Sequence, residues 1–165
     1  MFKGGVLLAC LVALVLPACG SDDDDSGGDG GATDAEPLTH EELVDQAAEA
    51  CQVAQQSTDK LNEQLGEEAD VFAPEAAPLL EDLAGITSQL VADLEALEPP
   101  AGDAADYESL IELLDDGTTK VEGMAAAVED DDRQTAVSLQ NELNASGDEI
   151  EQVTTDLGLS ACLDN

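Results

Sequence analysis

The side chains able to do chemistry in this chain are four cysteines, one histidine and 39 carboxylates. Cys10 and Cys19 fall early, within and just after an apolar stretch, whereas Cys51 and Cys162 lie far apart in the remainder. No two of them show the Cys-x-x-Cys spacing of a redox pair. A reactive thiol also needs a neighbouring cation to lower its pKa, and the charges near Cys51 and Cys162 are acidic. His40 is the single histidine and stands beside Glu41 and Glu42. A catalytic base needs a nucleophile to activate and a third group to orient it. The nearest hydroxyl, Thr39, is required as a helix cap, so His40 reads as a solvated surface residue. A di-metal centre in a helical bundle takes Glu-x-x-His from two helices, which one histidine cannot supply.

The carboxylates gather at Glu41, Asp45 and Glu49, at Glu108, Glu112, Asp115 and Asp116, at 129–132, and at Asp148, Glu149, Glu151 and Asp156. Such runs are read as solvated helix faces that hold Ca²⁺ or Mg²⁺ weakly at most. Asp22, Asp24, Ser26 and Gly27 open like an EF-hand loop, but its twelfth position is Thr33, where a bidentate Glu is required. Two carboxylates at the right separation hydrolyse glycosides. Sugar sites, however, use aromatic walls, and beyond the first residues only Phe72 and Tyr107 are aromatic. No cofactor, dedicated metal site or enzymatic activity is expected.

The elements that position these residues begin with a leader. Lys3 precedes residues 4–16, all apolar or small, which is the charge-then-apolar order of a secretory signal. The run is shorter than the ~20 residues that span a bilayer. It closes on Leu16-Pro17-Ala18-Cys19-Gly20. This resembles the lipobox of bacterial lipoprotein signal peptides, an aliphatic residue and two small ones before a cysteine. Leu16, Ala18 and Cys19 match, and Pro17 departs from the small residue usual at its place. The resemblance implies a signal peptide over 1–18 and lipid on Cys19 as the mature N-terminus. Three acyl chains, at ~0.8 kcal/mol per buried CH₂, make a lasting anchor. The expected location is the extracytoplasmic face of the cell membrane. Cys10 lies inside the apolar run and is read as a residue of the discarded segment.

The full chain carries a formal charge of −35. Removing the leader takes Lys3 and no acid, so the processed chain is one unit more negative. Only Lys60, Lys120 and Arg133 remain as bases. Phosphate must be met by Lys and Arg, which excludes nucleic acid as a partner and argues against adhesion to anionic head groups. Because the acids spread along every helical segment, the preferred reading is a surface adapted to a salty exterior. Weak binding of divalent cations is the competing one.

Residues 19–37 are mostly Asp, Gly and Ser without periodicity and predict a disordered acidic tether. A helix then starts at Thr39, with Glu42 completing a capping box and Leu38 stapled to Leu43. Its stripe runs Leu43, Ala47, Cys51, Ala54, Thr58, Leu61 and Leu65, with Gly66 as C-cap. One of Pro74 and Pro78 is placed in the first turn of a second helix, whose stripe is Leu79 or Leu80, Leu83, Ile86, Leu90, Leu94 and Leu97. Pro99-Pro100 stops it. Asp103 is expected to cap a third helix along Tyr107, Leu110 or Ile111, Leu114, Val121, Met124 or Ala125, and Val128, with a kink or break between Asp115 and Thr118 where Gly117 interrupts it. A fourth starts near Asp132 and presents Val137, Gln140, Leu143, Gly147, Ile150, Thr154 and Leu157. Gly158 should end it in a Schellman turn.

Four amphipathic segments with short links predict an all-α, antiparallel four-helix bundle over 38–165. Outside the cytoplasm, Cys51 and Cys162 are expected to form a disulfide. Cys51 lies about three turns into the first helix, so the tail beyond Gly158 must fold back along it. The bridge would contribute up to ~4.7 kcal/mol in the chain-entropy account. The stretch from Leu94 to Leu97, Pro99-Pro100 and Gly158-Leu159 with Cys162 are similar to features of small secreted helical lipoproteins of high-GC Gram-positive bacteria, a resemblance that implies no particular activity. The functional expectation is a lipid-anchored, non-enzymatic envelope protein acting on another envelope protein or as structure. The alternative is a small-molecule or cation-binding lipoprotein serving a transport system.

Overall fold

The structure, a computed structural model, describes residues 37–65 and 70–163. Leu16, Ala18 and Cys19, nearly all of the 19–37 linker and the expected C-cap Gly66 lie outside those residues. The described residues form helices α1 (His40–Leu65), α2 (Ala77–Glu95), α3 (Ala104–Glu129) and α4 (Arg133–Asp156), with 3₁₀ turns at Pro74–Ala76 and Ser160–Cys162 and no strand. They make an antiparallel four-helix bundle in which α1 packs on α2, α2 on α3 and α3 on α4, while the 160–162 turn lies on α1.

Local chemistry accounts for most helix ends. At α1 the Thr39 N–H donates to Glu42 Oε2 (2.9 Å) and the Glu42 N–H donates back to Thr39 Oγ1 (3.3 Å), the reciprocal capping box. The Leu38 N–H donates to the Glu98 carbonyl (2.9 Å), tying the start of α1 to the end of α2. Both prolines of the α1–α2 link are used: Pro74 opens the 3₁₀ turn and Pro78 sits in the first turn of α2, where neither N–H is missed. After α4, Gly158 takes φ +72°. The Leu159 N–H reaches the Thr154 carbonyl (2.9 Å) and the Gly158 N–H reaches Thr155 (3.0 Å), which is the Schellman pair.

Three expectations are corrected. Asp103 does not cap α3: its backbone is helical (φ −104°, ψ −11°), unlike the non-helical backbone usual at an N-cap, and its side chain makes no capping bond because it turns to His40. Gly117 does not break α3, which runs through it for 26 residues. Its immediate flanks, Asp and Thr, are weak helix formers, so the continuity comes from packing: α4 supports that turn, with Leu143 lying 3.9 Å from where a Cβ would stand. In α4 the inward face begins one residue early, so Ala136 is fully buried and Val137 is 38 % exposed. The tight α3–α4 approach selects the smaller side chain, and at Gly123 a Cβ would come within 3.2 Å of Leu139.

The interior divides into two clusters. One joins Leu80 and Ala84 of α2, Val121, Met124 and Val128 of α3 and Ala136 of α4. The other joins Leu43 and Ala47 of α1, Leu94 of α2, Leu110 of α3, and Leu157 and Leu159 beyond α4. Each large aliphatic residue so buried contributes ~1.5–3 kcal/mol. α1 contributes to the second cluster alone, through its first turns.

Candidate functional site

The sequence singles out Cys51 and Cys162, and the fold brings them together. The reversal at Gly158 sends the chain back along α1, and the cysteines meet at disulfide distance with 5.0 Å between Cα atoms, across a separation of 111 residues. Cys51 is buried. The Gln55 amide donates to the Ala161 carbonyl (2.8 Å) and holds the same turn. This pair is a clasp between the tail and one flank of α1.

His40 is half exposed and its Nδ1 lies 2.7 Å from Asp103 Oδ2. The aspartate expected to cap α3 instead orients the histidine. No nucleophile completes the arrangement: the Thr39 hydroxyl donates to Glu42. The carboxylates stand on outer faces, and among the described residues no group of three or more His, Cys, Asp or Glu converges as a metal site. Three of them are shifted by hydrogen bonds. The Thr135 hydroxyl and then its N–H hold Asp132 below the usual carboxylate range, the Thr39 hydroxyl and N–H do the same for Glu42, and the Phe72 N–H with Arg133 does so for Asp70. Inside the bundle, burial pushes the Tyr107 hydroxyl up to about 12, and it donates to the Leu94 carbonyl (2.8 Å).

Sequence reasoning missed a groove on the surface. Away from the clasp, the other flank of α1 runs beside α2 without closing on it. The result is an open groove of about 420 Å³. From α1 it is lined by Ala50, Val53, Ala54, Ser57, Leu61 and Gln64. From α2 come Gly85, Ile86, Gln89 and Leu90, with Asp82 toward one end and Asp93 toward the other. The small side chains of α1 and the missing Cβ of Gly85, which would meet nothing within 4 Å, leave the gap unfilled. Val53, 56 % exposed, forms its lip. None of the lining residues is basic. Small residues repeat at helical spacing over 50, 54 and 57, and that was the available signal; alone it cannot separate close helix packing from an open groove.

Two kinds of catalytic arrangement are not formed by the groove's lining residues. The Ser57 hydroxyl is spent on the Val53 carbonyl (3.0 Å) and no base adjoins it. Asp82 and Asp93 are eleven residues apart on one helix, ~16 Å at 1.5 Å per residue, beyond the ~5–9.5 Å at which two carboxylates share a glycosidic bond. Apolar walls, an open mouth and acidic ends suit binding of an amphipathic surface.

Fold and site together define an acidic, all-helical bundle with a cysteine clasp and an open, largely apolar groove between α1 and α2. No family model matches the chain, and no curated protein or solved structure matches it.

Proposed function

We propose that this chain is a non-enzymatic, lipid-anchored protein of the cell envelope whose helical domain is an interaction module. The leader ending in Leu16-Pro17-Ala18-Cys19 supports the anchor, with Cys19 carrying lipid on the extracytoplasmic face of the membrane. The acidic segment 19–37 then serves as a tether, and the bundle stands above the bilayer. The observation that carries the interaction role is the α1–α2 groove, an apolar surface kept open on a domain otherwise covered by carboxylates. Exposed apolar surface bounded by charge is how interaction sites present themselves.

The deciding measurement is the intact mass of the protein from its native membrane fraction, before and after reduction. The expected species starts at Cys19 with acyl chains and gains two hydrogens on reduction. A chain starting elsewhere and free of lipid would remove the anchor from the proposal and make the protein a freely secreted one. Crosslinking in the same membranes should link the domain to an envelope protein. No crosslink at any face would overturn the interaction role.

A further inference from the structure

The groove also specifies what fits it. We infer that the α1–α2 groove docks a cationic amphipathic helix of about three turns, supplied by another protein. The inference rests on the interaction reading above and names the chemistry of the partner.

Length and charge carry the argument. The α2 wall runs from Asp82 to Asp93, ~16 Å along the axis, with Ile86 and Leu90 between them. A helix laid along it would place apolar residues at i, i+3, i+4 and i+7 on Val53, Ile86 and Leu90, the helix-in-groove mode of recognition. Lys or Arg eleven residues apart on that helix would meet Asp82 and Asp93, the same spacing on the facing element. Complementary charge of this kind selects the partner and speeds encounter. The Asp93 carboxylate is held in place by the Gln89 amide (2.8 Å).

Other occupants fit worse. A second copy would bring a like charge, −35 for the whole chain. Beyond Lys3 the chain's only bases are Lys60, Lys120 and Arg133, no two of them eleven apart. Lys120 pairs with Asp116, and Arg133 pairs with Asp70. The chain's own segment 19–37 carries Asp and Glu and no base. An uncharged acyl chain would offer Asp82 and Asp93 no counter-charge.

The test uses the full-length protein in native membrane vesicles with its disulfide intact. The probe is a synthetic helix of about 18 residues, long enough to hold helical structure. It carries a Leu/Ala stripe, two Arg eleven apart and a photoreactive group in the stripe. Expected crosslinks map to Val53 and Ile86. The double variant Asp82→Asn, Asp93→Asn should bind about tenfold more weakly, the scale of two exposed charge pairs. Gly85→Leu adds bulk where a Cβ meets nothing, and Val53→Lys puts a base on the exposed lip. Both should retain the wild-type thermal unfolding midpoint or exceed it, and both should lose the crosslinks.

A probe with Glu in place of Arg that binds as well overturns the inference, as does wild-type binding by both groove variants. A self-associated protein that Gly85→Leu renders monomeric assigns the groove to a second copy and also overturns it. Equal occupancy by an uncharged lipid analogue does the same. If the probe fails while native crosslinks form at another face, the groove assignment falls and the interaction reading stands. If both fail, both fall.

Discussion

Asp103 and Asp132 both stand immediately before a helix, yet only Asp132 caps. The Thr135 N–H donates to Asp132 Oδ1 (3.1 Å) and the Thr135 hydroxyl to Oδ2 (2.7 Å), while Asp103 turns to His40. The Asp132 carboxyl is thereby held below its usual range. A group whose folded pKa is depressed adds stability above its unfolded pKa and loses it as the pH falls through the folded one. Thr135→Val removes the largest cause of that depression. Wild type should therefore unfold at higher denaturant than this variant at neutral pH, and the gap should close below the ordinary carboxylate range. A gap independent of pH would show that the hydroxyl acts by some other route. Thr154 poses the opposite case, a buried hydroxyl without a hydrogen-bond partner. Burying it unpaired costs ~1–3 kcal/mol, so Thr154→Val should raise the free energy of unfolding by about 1 kcal/mol. A loss of stability in denaturant titration would mean that the hydroxyl has a partner.

At the scale of elements, α1 differs from the other three helices. Its first turns enter the core at Leu43 and Ala47, and its remainder is held by α2 on one flank and by the cysteine clasp on the other. α2, between α1 and α3, has to serve two neighbours. It turns Ala77, Leu80, Ala84, Val91 and Leu94 fully inward and leaves Ile86 and Leu90 partly covered toward α1. Replacing Cys51 and Cys162 by Ser should cost ~2–4 kcal/mol. Hydrogen exchange should show where that cost falls: protection should be lost first in residues 53–64 and 159–163, before α2, α3 and α4 open. Uniform loss across all four helices would show instead that α1 unfolds together with the rest.

For the whole molecule, charge is the governing quantity. Four bases against 39 acids leave self-repulsion that the compact state must overcome, and salt screens it over ~10 Å at 0.1 M. The thermal midpoint should rise steadily from very low to molar NaCl. At fixed ionic strength, exchanging part of the NaCl for CaCl₂ should add nothing further, as expected for carboxylates spread over outer faces rather than gathered in a site. A midpoint that ignores salt would remove the screening argument, and a calcium-specific rise would favour the cation-binding alternative.

Local rules acting within a few residues determined much of this protein from sequence alone. The capping box at Thr39 and Glu42, the proline entry to α2 and the glycine reversal at Gly158 depend on neighbouring backbone only, whereas α2 already ends at Glu95, ahead of Pro99-Pro100. Helical periodicity, together with the length of the links, determined the all-α bundle. The Cys51–Cys162 pairing was legible because the described domain offers only that pair and the reversal directs the tail toward it. Tertiary structure decided what local patterns leave open. Whether Asp103 caps or binds His40 depends on α1 lying beside it. Whether Ala136 or Val137 faces inward depends on how closely α3 and α4 approach. The groove exists because the small residues of one α1 flank face Gly85 of α2 across a gap that neither side chain set fills. A helix's sequence states which faces are apolar, and only the placement of its neighbours decides which of those faces is left open to a partner.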